Sequence, residues 1–154
     1  MKFKLLGAVS IEAAFIIPIV ITLLLAIIEV VNYAADRLIA TSILADELQL
    51  ARSHAIAVQN GSDPQPNPAY AECSQNNVVV LNSNFSIKLG EKLKKQFGDD
   101  GEIKDVKIQV SDPQPGTFQT YVVSVSIPAR PIILPDIIQL PINVTNLVTW
   151  DLSC

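Results

Sequence analysis

The first sixty residues carry two hydrophobic patterns in succession. From Ala13 to Ile28, sixteen residues hold no charge, and eleven of them are Phe, Ile, Leu or Val. At roughly 0.3 to 0.6 kcal/mol each, those eleven favour insertion into a bilayer by about 5 kcal/mol. A helix of that length covers about 24 Å, short of a hydrocarbon core of about 30 Å. Full crossing therefore draws in residues beyond Glu12, beyond Glu29, or both. A carboxylate costs about 2.5 to 3.5 kcal/mol at the centre of a membrane helix and less near its edge. Insertion still wins, and an acidic residue kept in such a place is a functional candidate.

From Asn32 to Val58 the pattern changes. There is no Pro or Gly, and Ile43 or Leu44, Leu48, Ala51, Ala55 and Val58 recur at helical spacing. Asp36, Arg37, Thr41, Asp46, Gln49 and Arg52 fall mostly on other faces. This predicts an amphipathic extension with one face free for a soluble domain. The two patterns together predict one helix from about Ser10 to Gln59, roughly 75 Å long, ended by Asn60-Gly61. Pro18 lies inside the apolar run, where it removes a helical hydrogen bond to the carbonyl of Ala14 and favours a kink.

The rest of the chain reads as short strands and turns. Residues 61 to 77 are expected to be a loop, with Gly61, Pro64, Pro66 and Pro68. Val78 to Leu81 predicts a strand, and Leu89 to Phe97 a short helix ended by Gly98. Lys104 to Val110 and Tyr121 to Ile127 each alternate apolar and polar residues, predicting an antiparallel pair. Pro128, Pro131, Pro135 and Pro141 speak against a central strand or helix over Pro131 to Ile142. Leu147 to Leu152 predicts a last strand. The string Ser-Asp-Pro-Gln-Pro occurs at 62–66 and again at 111–115, with flanks that do not match, and reads as two Asp-Pro turns. The expected class is α+β: a long N-terminal membrane-spanning helix continuing into an amphipathic helix, packed on a small antiparallel β-sheet domain.

Composition narrows the function. The net charge is −4, and without Lys2 and Lys4 nine basic residues face fifteen acidic ones, giving −6. Such a chain lacks the basic patch that nucleic-acid partners require. The lysines at 88, 92, 94 and 95 read as a solvated face. His54, the single histidine, lies on the amphipathic helix and reads as a surface or packing residue. No nucleophile constellation, glycine-rich phosphate loop or metal-ligand set is legible, so no catalytic residue, metal or cofactor is expected, and the chain does not read as an enzyme. Three Asn-X-Ser/Thr acceptor patterns begin at Asn60, Asn84 and Asn143. Cys73 and Cys154 are the only cysteines. In an oxidising space they form the obvious disulfide, closing 82 residues, worth roughly 4 to 5 kcal/mol by the chain-entropy estimate. The alternative is two unpaired thiols.

Met1 to Gly7 form a short leader with Lys2 and Lys4; Ala8 follows, and Glu12 stands five residues after Gly7, directly before the apolar run. This arrangement resembles the class III signal of type IV pilins. The longer run from Gly7 to Ala34, with Glu12, Pro18 and Glu29 in order, is most similar to the TadE/TadF-like minor pilins of the tight-adherence (Tad) pilus. The similarity covers about the first 55 residues. It implies a leader at 1–7, a transmembrane helix at 8–31, an amphipathic extension at 32–60 and an extracytoplasmic β-rich domain at 61–154.

The resemblance further implies cleavage between Gly7 and Ala8 by a prepilin peptidase. Glu12 then partners the new α-amine of Ala8 in assembly, Pro18 marks a kink, and Glu29 is the acid at the membrane edge. The implied partners are other pilin subunits, the peptidase and the assembly machinery of the inner membrane, with a role in adhesion. Lys2 and Lys4 place the N-terminus in the cytoplasm and the domain outside it. Two other readings stay open: an uncleaved single-span membrane protein of a secretion or pilus machine, and a secreted adhesive domain whose ordinary signal peptide is cut near Ala34 or Ala35.

Overall fold

The structure is a computed structural model. It describes residues 5–61, 70–74, 77–80, 83–98, 107–110, 119–129 and 141–150; side chains at 5–12, 74, 77, 79, 80, 107–110 and 119 lie outside the description.

The first element, α1, runs unbroken over Leu5–Gln59, 55 residues or about 80 Å. It includes Pro18 and begins five residues before the expected Ser10. Its end is the predicted one. The Asn60 N–H donates to the Ile56 carbonyl at 3.0 Å and the Gly61 N–H to the Val58 carbonyl at 3.0 Å. Gly61 then turns the chain with φ +69°, the left-handed conformation that glycine takes most easily.

Two strands follow, β1 (Ala71–Ser74) and β2 (Asn77–Val80), paired antiparallel with Ala71 opposite Val80. The expected loop over 61–77 is thus corrected at its C-terminal part, where β1 forms; residues 62–69 lie outside the described set. The second helix, α2, spans Ser83–Phe97 and starts six residues before the expected Leu89. The reason is an apolar repeat at intervals of four: Phe85, Leu89 and Leu93 are all buried on one face, with Phe97 packed beside them.

The remaining strands are β3 (Lys107–Val110), β4 (Gln119–Pro128) and β5 (Pro141–Trp150), forming one antiparallel sheet in that order. The predicted β3–β4 pair is present, with Ile108 opposite Val125. In β4, Tyr121, Val123, Val125 and Ile127 face the core, as the alternation predicted. β5 differs from expectation. It begins at Pro141 and not at Leu147, and aligns with β4 from Pro128↔Pro141 to Gln119↔Trp150. Pro141 is tolerated because it is the first residue of a strand at the sheet edge. Leu152 and Pro131–Leu140 lie outside the described residues, as do both Asp-Pro repeats.

One core unites these elements. Ala40, Leu44, Leu48, Ala51 and Ala55 of α1 pack with Phe85, Leu89 and Leu93 of α2, with Tyr70, Ala71 and Val78, and with the inner residues of β4 and β5. Tyr121 and Trp150 meet across the sheet with ring centroids 5.7 Å apart. Ile43 and Val58 are half-buried at the margin. The α+β architecture is therefore that of the sequence reading: a long helix whose second half packs on antiparallel strands.

Candidate assembly surface on the long helix

Among the described side chains, the first half of α1 is exposed from Ala13 to Ile28. From Phe15 to Val31 its large apolar side chains are exposed on every face, and none of the most apolar window is covered by the domain. One turn after Glu29, the Tyr33 hydroxyl donates to the Pro141 carbonyl at 3.3 Å and ties the helix to β5. α1 is long and apolar enough to cross a membrane.

The residues singled out in the sequence are ordered along this rod. Gly7, Ala8 and Glu12 are within the helix, with their side chains outside the described set. Glu29 is half-buried. Glu12 and Glu29 are seventeen residues apart, about 26 Å along the axis, close to the hydrocarbon thickness of about 30 Å. Two carboxylates at that separation bracket an apolar span and leave its centre uncharged. Pro18 lacks an N–H, so the Ala14 carbonyl loses its helical donor. Four residues on, the Thr22 hydroxyl donates to the Pro18 carbonyl at 2.8 Å, supplying a local polar partner inside the apolar stretch. Pro18, Ile19, Thr22, Leu23 and Ala26 line a shallow notch there.

Where α1 enters the domain, a second polar arrangement lies within the core. Glu47 is fully buried on the same face as Leu44 and Ala51. Its Oε2 accepts from the Tyr70 hydroxyl at 3.0 Å, and its Oε1 contacts Nζ of Lys92 on α2. His54, about two turns further on, is also buried and stacks on Tyr70 at 5.0 Å. The Tyr70 backbone N–H donates to His54 Nδ1 at 3.3 Å, so in the neutral imidazole the proton sits on Nε2. Nε2 has no partner among the described residues. Burial, the adjacent Glu47 charge and the hydrogen bond to it raise the Tyr70 phenol from 10.0 to about 12, with a smaller push from Glu91.

Sequence reasoning missed Glu47; Lys92 is exposed, as the reading of a solvated face expected, and its Nζ also reaches the buried Glu47 carboxylate. The signal for Glu47 was present: it lies three residues after Leu44 and four before Ala51, on the buried stripe. Cys73 sits exposed in β1, while Cys154 lies outside the described residues. Among the described residues there is no cluster of His, Cys, Asp or Glu suited to a metal.

Residues 7–46 match the model of the family described as TadE-like protein. This segment is TadE-like. The match spans the bare half of α1 and stops one residue before Glu47, so it covers the rod and none of the strands. No curated protein and no solved structure matches the chain. Residues 47–154, including all the strands and α2, lie outside the match.

Proposed function

We propose that the chain is a minor pilin: a structural subunit that takes part in assembling a Tad or type IV-like pilus after a prepilin peptidase removes residues 1–7. The observation that carries this reading is the coincidence of the TadE-like match with the exposed half of α1. An apolar rod of that length, with its described apolar side chains exposed, needs a bilayer or neighbouring subunits to cover it. Cleavage after Gly7 frees the α-amine of Ala8, and Glu12 pairs with it within the subunit or across to the next. Either charge alone in an apolar bundle carries a desolvation penalty that the pair partly offsets. Glu12 thereby sets the register of one helix against another. The domain lies outside the cytoplasmic membrane, where the Cys73–Cys154 disulfide forms.

The test is the intact mass of the protein purified from membranes, with and without its prepilin peptidase. Peptidase-dependent loss of residues 1–7 is expected. An uncut chain would leave a permanent membrane protein of the machine, and a start near Asp36 would leave a secreted domain. The Glu12→Ala protein should be cleaved and folded yet absent from pili; normal pili containing it would remove the register role.

A further inference from the structure

The contact between Glu47 and Lys92 joins two helices at residues 45 apart in sequence, at the edge of the core. Its two ends differ. The Glu47 side chain is 0% exposed, whereas the Lys92 side chain is 52% exposed. The two carboxylate oxygens are also differently held: Lys92 Nζ meets Oε1, and the Tyr70 hydroxyl donates to Oε2. An amine thus stands at one oxygen and a hydrogen-bond donor at the other, which are the parts needed to make an amide.

We propose that Lys92 and Glu47 condense in the folded protein to an isopeptide bond between Nζ and Cδ. The step begins with transfer of a proton from the Lys92 ammonium to Oε1, which gives a neutral amine and a neutral acid. The amine lone pair attacks Cδ and the C–N bond forms. Negative charge develops on Oε2, where the Tyr70 hydroxyl already donates. The C–Oε1 bond then breaks, and Oε1 departs as water with its own proton and one from the nitrogen. The product amide keeps one N–H. Carboxylate plus ammonium gives amide plus water, with no change in charge and no oxidant.

Folding brings these groups together, and holding reactants in place is a large part of such a barrier. The phenol is suited to the role, since a tyrosine hydroxyl is protonated at physiological pH and so remains a donor. The exposed flank of Lys92 gives the departing water a way out, and the closed Glu47 side keeps bulk water from Cδ. The result ties α1 covalently to α2, so that tension along the long helix is passed to the domain through a bond. This inference stands on the geometry of the domain and holds whether or not the chain enters a pilus.

The experiment is mass spectrometry of the wild-type protein purified from membranes, reduced and denatured. The expected mass falls short of the processed sequence by one water. A tryptic digest should lack cleavage after Lys92 and contain a branched peptide joining segments around 47 and 92. Lys92→Arg, which keeps the cation and removes the nucleophile, should regain the full mass. Full mass with ordinary tryptic cleavage after Lys92 in the wild type would overturn the proposal and leave an ion pair. The wild-type digest decides this alone if the variant does not accumulate.

Discussion

The two halves of α1 are one helix in two solvents. From Ala13 to Ile28 the side chains are uncharged, nearly all apolar and exposed, while from Ala40 to Val58 only one stripe is apolar and it is buried. No break in the backbone separates them: the helix has neither a cap nor a stop between Leu5 and Gln59. The change lies wholly in which faces carry polar groups. Helix formation was settled by local propensity and continuity. What each half is for was settled by the environment its surface requires. The bare half spends its apolar surface on a bilayer or on other subunits; the second half spends it on its own domain.

The sharpest way to test that division is the same substitution in both halves. Leu44→Ala should destabilise the domain by about 2 to 5 kcal/mol, since it empties a buried site between helix and sheet. Leu24→Ala should leave domain stability unchanged, because Leu24 touches no part of the domain. Denaturant unfolding in detergent, followed by Trp150 fluorescence, would measure both. Equal losses would mean that the two halves unfold as one cooperative unit and that the comparison fails.

A charge reverses the asymmetry. Leu24→Arg places a guanidinium near the middle of the bare half, at a cost of about 2.5 to 3.5 kcal/mol for insertion. Membrane-bound protein after alkaline extraction should fall, while the unfolding midpoint of the domain stays where it was. Retention in full would show that the bare half is covered by protein at that level and not by lipid.

Much of this was readable because the periodicities are long and simple. The apolar run, the amphipathic stripe, the stop at Asn60-Gly61 and the inward residues of β4 all follow from spacing alone. The failures share a physical cause. β1 is four residues long and carries one polar and one charged residue, so its pairing with β2 comes from tertiary context. β5 was cut short because prolines were counted against it before its place at the sheet edge was known. Glu47 was missed because a charge is assigned to solvent by default, and only the fold reveals its partner Lys92 on the other helix. The buried cluster lies beyond the TadE-like segment, so the resemblance carried no information about it.

That cluster gives the domain half a pH dependence. In the unfolded chain the Tyr70 phenol ionises near 10.0, and in the folded chain near about 12. Between those values the unfolded state binds fewer protons, so stability falls as pH rises. The contribution is whole below pH 10 and is lost by about pH 12, amounting to roughly 2 to 3 kcal/mol. Tyr70→Phe should remove this part of the alkaline slope. The comparison of the two unfolding curves across that window isolates it from the lysines, which both proteins share. Identical slopes would mean that the phenol opens to solvent before it ionises.

The smallest effect concerns where the second half stops. Gly61 takes φ +69°, yet a methyl group built there meets nothing within 4 Å. The penalty of Gly61→Ala is therefore the intrinsic cost of a left-handed alanine, about 1 to 2 kcal/mol, with no packing clash added. Gly61→Asn should cost less, because asparagine visits that conformation more readily. The order Gly, then Asn, then Ala in domain stability would show that the helix ends through backbone conformation alone. Equal stability for all three would mean that the chain finds another way to leave the helix, and that the position of the stop is set by the core contacts of Ala51 and Ala55 upstream.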